Sequence, residues 1–221
     1  MKDHVEEYQK HIDYYATESS GWFSKYLTSS EWGNKDMATN FMKKYWLPKN
    51  EYNAIWLPVL EKIFIPKTVL PGLVFRSRYQ LLASRGGCLF IEEEYLKFQQ
   101  LMHIAADSHF VIIQNHLNDT GEPTFRMKFP VDTSWAELMS GNYISSMLFE
   151  QPYNDYFVFG KSESWGKYAA NDYIHPLDIV GFKPELSKKF REELHESEEE
   201  WSEIKGWLPL AYHNLIKSNE E

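Results

Sequence analysis

Cysteine is almost absent from this chain of 221 residues, in which Cys88 is the only one. A single cysteine excludes a disulfide within the chain and a zinc cluster built on several thiolates. Long apolar runs are also absent, and no stretch approaches the roughly 18 apolar residues of a membrane span. The first twenty residues, MKDHVEEYQKHIDYYATESS, are charged throughout and lack the apolar centre of a signal peptide. These absences predict a cytoplasmic protein without membrane contact.

Positive charge is the scarcer sign, with 23 lysines and arginines against 32 aspartates and glutamates and a formal net charge of -9. Such a balance repels nucleic acid and anionic membranes, and it suits either simple solubility or a basic protein partner. Hydrophobic residues make up 43% of the chain and aromatic residues 16%, which is far too apolar for a disordered chain. The composition therefore predicts a folded domain with a substantial core, and nothing in it indicates a cofactor.

The first third of the chain has helical periodicity. Val5, Tyr8, Ile12 and Tyr15 recur at helical spacing, and so do two later sets of apolar residues, at 37, 41 and 45 and at 52, 55, 56 and 60. Pro58 is expected to kink or split the third of these helices. The proline-rich segment FIPKTVLPGLVF indicates a boundary, which divides the chain into a helical part at 1–70, packed on the main body, and a body at 71–221.

The body combines strand and helix patterns. Short apolar or alternating runs predict strands at 109–115, 123–130, 156–160, 167–172 and 177–182. An apolar stripe predicts a helix around 95–105, and capping boxes at Ser134 and Ser197 predict two helix starts. The sequence therefore predicts an α+β fold, an antiparallel sheet flanked by helices, whose core contains Phe157, Phe159 and Ile179.

Gly160, Lys161 and Ser162 match the last three letters of a phosphate-binding loop. That motif needs a glycine five residues before the Gly-Lys pair, and it needs a helix that starts at the lysine. The earlier position is Asp155, and no helical pattern follows Ser162. We therefore predict a hairpin turn between two antiparallel strands from Gly160 to Gly166, and no binding of ATP or GTP.

A short capped helix, the strand YFVFG, a turn containing glycine, the strand KYAAND and a later strand before a terminal helix follow one another between about Pro130 and Leu194. This order resembles the SMI1/KNR4 superfamily. The resemblance implies a non-enzymatic binding domain of the immunity type. Many bacterial members are similar to immunity proteins, which neutralise a secreted toxin, often a nuclease, and here the partner would be a basic protein toxin.

The predicted partner-binding residues belong to two stretches. Trp165 and Glu163 lie in the hairpin, and Glu198, Glu199 and Glu200 lie in the acidic run REELHESEEEWSEIKGW. An exposed tryptophan beside polar residues is typical of an interface anchor, although the ring can equally fold back onto the sheet. The acidic run favours docking of a basic protein, and a solvated helix surface is the alternative interpretation.

A small-molecule enzyme of the hydrolase kind is the second hypothesis for function. Asp172 and Asp178 are candidates for general acid or base near His175, although Pro176 in NDYIHPLD also indicates an ordinary loop. Cys88 is a candidate nucleophile or a small buried apolar residue.

A histidine cluster at 103, 109 and 116 does not predict a metal site. The second and third of these histidines lie an odd number of residues apart, so on one strand they face opposite sides and cannot share an ion.

Overall fold

The computed structural model describes residues 5–18, 34–117, 121, 123–152 and 154–216, with side chains from residue 5 to 13 in the first of these ranges. Its strands are β1 Gln80–Arg85, β2 His109–Gln114, β3 Arg126–Pro130, β4 Tyr156–Gly160, β5 Trp165–Ala170 and β6 Leu177–Phe182. Its α-helices are α1 Val5–Glu18, α2 Lys35–Tyr45, α3 at 49–63, α4 Glu92–Ile104, α5 Trp135–Leu138, α6 Tyr143–Ser145, α7 Ser187–Glu193 and α8 Glu198–Trp207. Shorter 3-10 or π turns cover Met139–Gly141, Ser146–Glu150, Pro184–Leu186 and Leu210–Tyr212.

The six strands form one antiparallel sheet in the order β1-β6-β5-β4-β2-β3. This arrangement confirms the predicted α+β class, in which helices flank an antiparallel sheet. Five of the strands lie where the alternating and apolar runs predicted them. The sixth, β1, was not predicted, because its apolar core Leu81–Ala83 is too short to show a period.

Each face of the sheet carries its own hydrophobic layer, because successive side chains of a strand point to opposite sides. Helices α1, α2 and α4 cover the first face, where they contact Phe110, Phe129 and Val158. Helix α3 and the C-terminal segment from Ile204 cover the second face, which carries the predicted core residues Phe157, Phe159 and Ile179. The burial of these three confirms the strand assignments on which they depend.

Residues on both sides of the predicted boundary at 70 share these layers. Tyr8 and Phe41 belong to the layer on the first face, and Trp56 and Phe64 belong to the layer on the second. The backbone adds a link, because the Leu47 N–H donates to the Arg126 carbonyl at the outer strand β3. The side chain of Tyr15, which completes the predicted stripe of α1, lies outside the described residues.

Pro58 distorts helix α3 without dividing it. The helix begins as a short α-helical turn at Lys49–Glu51, widens to a π-helical turn at Tyr52–Trp56, and returns to α-helix at Leu57–Ile63. A proline ring has no N–H to donate and clashes with the carbonyl four residues earlier, and a wider turn moves that carbonyl away. The expected kink is therefore accommodated by a π-turn directly before the proline.

The Gly-Lys-Ser stretch forms the hairpin turn between β4 and β5, as predicted. Asp107, at the end of the turn that follows α4, accepts hydrogen bonds from the backbone N–H of Ser162 at 2.7 Å and from its hydroxyl at 2.8 Å. The turn thus directs its donors at a carboxylate of its own chain. None of the helices in the described ranges is both long and apolar enough to cross a membrane.

Candidate functional site

A cavity of about 380 Å³ opens beside the edge strand β1. Its wall comes from three parts of the chain: the end of β1 with the loop after it, the first turns of α4, and the segment that joins α7 to α8. Five glutamates contribute to this wall, namely Glu93, Glu94, Glu193, Glu196 and Glu200. We call this feature the acidic cavity. Its size lies at the lower end of the range for small-ligand sites.

Folding creates this concentration of negative charge. Glutamates in the first turn of a helix are favoured by the dipole of that helix, and both α4 and α8 begin with three of them in a row. The sheet places these two helix starts beside the same strand, although about a hundred residues separate them in the sequence. The acidic cavity lies between them.

A buried lysine lies behind the cavity wall. Lys167 of β5 is 0% exposed, and its Nζ lies 2.6 Å from Oε1 of Glu94 and 2.9 Å from Oδ2 of Asp178. The same ammonium donates to the carbonyl of Leu89 at 2.8 Å and lies 4.5 Å from the ring centre of Phe90. The ammonium therefore has hydrogen bonds to Glu94 and to the Leu89 carbonyl and an ion pair with Asp178, and Glu94 links this buried cluster to the cavity.

The pKa shifts of Lys167 and Asp178 indicate which of the buried groups carries a proton. Burial raises the pKa of Asp178 to about 7, against the attraction of Lys167, whereas its two carboxylate neighbours raise the pKa of Lys167 against the effect of burial. A cluster of two carboxylates and one ammonium reaches zero net charge when one carboxyl keeps its proton. Asp178, which is 1% exposed, is the carboxyl that does so, because Glu94 reaches solvent.

Cys88 also lines the cavity, but its surroundings keep it protonated. Burial and the neighbouring carboxylates of Asp178 and Glu150 raise the pKa of the thiol. The Sγ atom donates to the carbonyl of Glu150 at 3.6 Å. Since the thiolate is the nucleophilic form of cysteine, this environment disfavours the reactive role considered from the sequence.

The predicted partner-binding glutamates lie in different environments. Glu198 and Glu199 are exposed in the first turn of α8, next to the acidic cavity. Glu200 lines the cavity and also closes the predicted capping box, since it accepts from the hydroxyl of Ser197 at 2.6 Å. Glu163 is partly buried in the hairpin turn, where it pairs with Lys62. Only the α8 glutamates thus belong to the cavity and its rim.

The second placement considered for Trp165, folded back onto the sheet, is the one that the structure has. Its side chain is 0% exposed, packs against the ring of Phe98 and donates from Nε1 to Oδ2 of Asp107 at 2.9 Å. The interpretation of Trp165 as an exposed interface anchor is therefore wrong. The residue begins β5 with its ring on the first face, whereas the sequence pattern had placed it in the turn.

The three residues of the predicted hydrolase site do not converge. The His175 ring stacks on Trp207, with 5.7 Å between ring centres, whereas the carboxylate of Asp178 is buried against Lys167. Asp172 is exposed, and its backbone N–H donates to Asp155. Hydrolytic chemistry would need a histidine and a carboxylate within hydrogen-bond reach of each other, and these residues bind other partners.

The three histidines considered for a metal site also have separate environments. His103 lies 3.0 Å from a carboxylate oxygen of Asp132, His109 shares a hydrogen bond with Ser108, and His116 is exposed beyond the end of β2. Among the described residues, no three histidine, cysteine, aspartate or glutamate side chains are placed to hold a metal ion.

Sequence reasoning missed the residues that define the site: Glu94, Lys167, Glu193 and Glu196. One signal was available. Asp178 is the one charge in the predicted strand 177–182, and Lys167 begins the predicted strand 167–172, where three apolar residues follow it. Charges at such positions are rarely buried unless they are paired, and a pair between neighbouring strands was the available inference.

Comparisons with known proteins add no relative. A scan against protein-family models, a search of curated proteins and a search of solved structures each found no match to this chain. The resemblance to the SMI1/KNR4 superfamily therefore stays a prediction.

Proposed function

We propose that this chain is a non-enzymatic protein-binding domain that captures a basic partner protein at the acidic cavity and its rim. The observation that carries this proposal is the convergence of Glu93 and Glu94 with Glu193, Glu196 and Glu200 around one opening. Carboxylates of one sign around a concave surface concentrate the field and steer an oppositely charged partner during encounter. The net charge of -9 has the same sign as this local field.

The cationic side chains on the same wall do not neutralise it. Lys97 pairs with Glu93 at 2.9 Å within helix α4, and Arg85 pairs with Glu203 of α8. Among the described residues, Glu193 and Glu196 have no basic partner within ion-pair distance. A basic protein would supply the missing positive charges, and the exposed pair Glu198 and Glu199 would extend the contact along α8.

The resemblance to the SMI1/KNR4 superfamily supplies a candidate class of partner. In this proposal the partner is a secreted toxin with a basic active face, and the bound chain blocks that face by occupying it. Charge steering sets the association rate of such a complex, and close contacts in the cavity set its lifetime. In this proposal the acidic cavity anchors the partner, a role that the sequence analysis predicted for Trp165.

The hydrolase hypothesis receives no comparable support. Its three residues lie apart, and Cys88 is held as a thiol. The cavity does contain a histidine among carboxylates, but the Nδ1 atom of His195 bonds the backbone carbonyl of Glu192 in its own turn. No group on the wall of the cavity is thus arranged as a nucleophile with an adjacent base.

The proposal is tested by capture from the native source followed by mass spectrometry. The bait is the full chain, and the matched control is a variant that carries Glu193→Gln, Glu196→Gln, Glu198→Gln and Glu199→Gln. We expect a stoichiometric basic protein on the wild-type bait and its loss from the variant. Association of the purified partner is expected to slow markedly as salt rises, because salt screens exposed charges. A tight partner that is acidic, or whose association rate is indifferent to salt, would contradict the proposal.

A further inference from the structure

Two residues in and directly behind the wall of the acidic cavity have polar atoms that lack hydrogen-bond partners. Ser84 of β1 and Asp178 of β6 lie directly opposite each other in the sheet register. The hydroxyl of Ser84 and both carboxylate oxygens of Asp178 are buried and make no hydrogen bond with a described residue. Of these atoms, Oδ2 of Asp178 lies at ion-pair distance from Lys167, and the Ser84 hydroxyl and Oδ1 have no such contact. A buried polar atom without a partner costs about 1–3 kcal/mol, so two neighbouring ones call for an explanation.

Gly86 keeps these atoms close to the cavity. A Cβ atom at this position would lie 2.5 Å from Oδ1 of Asp178, so any larger residue would displace the carboxylate. Gly86 and Ser84 both line the cavity, and Asp178 lies directly behind Gly86. The carboxylate is thus shielded from solvent by a glycine backbone, while its field reaches the cavity.

Carboxylates in and behind the wall of the acidic cavity outnumber the basic side chains that pair with them. Lys167 is the one ammonium between Glu94 and Asp178, so this buried group is neutral only while Asp178 keeps its proton. Glu193 and Glu196 add two further carboxylates without basic partners in the described part of the chain. A cation in the acidic cavity would therefore meet carboxylates that no described basic side chain pairs with.

We propose that the acidic cavity is a receptor for one guanidinium group, the side chain of an arginine presented by a basic protein. This inference rests on the proposed function for the source of the arginine. A guanidinium presents five N–H donors in a planar fork, which matches several carboxylates and a hydroxyl at once, whereas an ammonium is a compact point charge. In this arrangement the N–H groups of the guanidinium donate to the carboxylates of Glu193 and Glu196 and to the second oxygen of Glu94. The N–H group that enters the cavity furthest donates to the hydroxyl of Ser84.

Binding of a guanidinium also moves protons. Burial raises the pKa of Asp178 and of Glu196, in the latter case together with repulsion from Glu200. A second positive charge favours the ionised form of both carboxyls, so the complex releases protons and tightens as the pH rises. The ionisable groups that face these two are Lys167 and Glu94 for Asp178, Arg85 and Glu200 for Glu196, and Cys88, Glu93, Lys97, Glu193 and His195 around the wall.

The test is titration calorimetry of the full chain with a capped glycyl-arginyl-glycine tripeptide. The control ligand is the same tripeptide with citrulline, which has the shape of arginine without its charge. We expect millimolar-range binding of the arginine peptide, at least about tenfold weaker binding of the citrulline peptide, and proton release when buffers of different ionisation heat are compared. Equal heats from the two peptides, or uptake of protons, would overturn the inference.

Matched variants locate the contact. Glu193→Gln with Glu196→Gln is expected to weaken the arginine peptide by about tenfold or more, because each carboxylate contributes charge-assisted hydrogen bonds. Glu198→Gln with Glu199→Gln removes the same charge from the exposed rim and is expected to change affinity less than about twofold. The reverse ranking of the two variants would place the contact outside the cavity and refute the proposal. Circular dichroism of both variants checks that the fold is intact.

Two further comparisons separate the sources of the guanidinium and the two proposals. Agmatine, a free alkylguanidine, that binds more tightly than the tripeptide would support the receptor and identify a small ligand in place of a protein. If a captured basic protein binds the Glu193→Gln/Glu196→Gln variant as tightly as the wild type, the guanidinium receptor fails and the protein-binding function stands. If the arginine peptide binds as expected and no basic protein is captured, the receptor stands and the protein-binding function fails.

Discussion

Two buried cations hold this fold together in different ways. Arg126 of β3 pairs with Glu7 of α1 at 2.7 Å and donates its other N–H groups to the backbone carbonyls of Leu47 and Pro123. The guanidinium also lies over the ring of Trp46, with 5.2 Å to its centre. One carboxylate and two carbonyls satisfy this cation. The pair joins α1, the α2–α3 connection and β3, and it has the features of a structural clamp.

The cluster around Lys167 has a surplus of acceptors. Its single ammonium lies between two carboxylates, and neither oxygen of Asp178 accepts a hydrogen bond from a described residue. The Lys167 cluster lies behind the acidic cavity, whose wall carries further carboxylates. A proton on Asp178 balances the Lys167 cluster in the free chain, whereas the Arg126 clamp needs no proton for its balance. The guanidinium proposed above would replace that proton as the balancing charge.

The largest expected effect is the loss of the buried ammonium. Lys167→Met keeps the length of the side chain and leaves Glu94 and Asp178 without a counterion, so we expect a loss of about 3–5 kcal/mol in the free energy of unfolding. Urea titration followed by tryptophan fluorescence measures it. Adding Asp178→Leu to Lys167→Met removes the uncompensated carboxylate and is expected to recover most of the loss. A loss below about 1 kcal/mol in the single variant would show that the ammonium is not buried.

The next effect is a dependence of stability on pH that belongs to Asp178. The folded chain holds this proton up to about pH 7, whereas the unfolded chain releases it near its ordinary value of 3.8. The folded state therefore binds more protons between these values, and the free energy of unfolding falls as the pH rises through that window. We expect a fall of about 2 kcal/mol between about pH 5 and about pH 7.

Asp178→Asn isolates this contribution, because other carboxyls also titrate in part of the range. Burial raises the pKa of Asp107, Asp155 and Glu196 as well, and their effects have the same sign. The free energy of unfolding of the wild type minus that of Asp178→Asn, measured by urea unfolding at several pH values, is expected to fall as the pH rises from about 5 to about 7. A difference that stays constant over this range would mean that Asp178 is already ionised in the folded state.

The Arg126 clamp provides the third effect, which is expected to be smaller. Glu7 is 27% exposed in its side chain, so water can solvate it once the guanidinium is gone. Arg126→Met is therefore expected to cost about 2 kcal/mol, mainly from the unpaired carbonyls of Leu47 and Pro123. Arg126→Lys keeps the positive charge but loses the planar set of guanidinium donors, and it is expected to lower the free energy of unfolding by less than Arg126→Met does. If Arg126→Met cost more than Lys167→Met, the contrast between a balanced and an unbalanced cluster would be wrong.

The sequence predicted most of this sheet because its strands carry local signals. Alternation in PTFRMKFP and the apolar run YFVFG each determine which side chains are buried without reference to distant residues. Trp165 shows where that reasoning ends, since its burial depends on Asp107, which lies 58 residues earlier and accepts from the indole. The sequence of the hairpin does not predict its contact with Asp107.

The acidic cavity could be predicted even less, because it is assembled from helix starts that only the tertiary fold brings together. The acidic run at 191–207 was recognised from the sequence, whereas its proximity to Glu93 and Glu94 follows from the pairing of β1 with β6. Strand β1 itself escaped prediction, so the surface beside it did too. The sequence shows the charged residues, but it does not show the strand pairing that places them around one cavity.

The smallest expected effect tests whether the Ser84 hydroxyl lacks a hydrogen-bond partner in the free protein. Ser84→Ala removes a hydroxyl that has no partner, so the variant is expected to stay within about 0.5 kcal/mol of wild type or to be slightly more stable. Ser145 is the matched control, because its hydroxyl donates to the carbonyl of Leu138 at 2.6 Å and accepts from the N–H of Gly141 at 2.8 Å. Ser145→Ala is expected to cost about 1–2 kcal/mol in the same urea titration. If Ser84→Ala cost as much as Ser145→Ala, the hydroxyl of Ser84 would have a partner within the free protein. The surplus of acceptors at the cavity would then have an internal explanation.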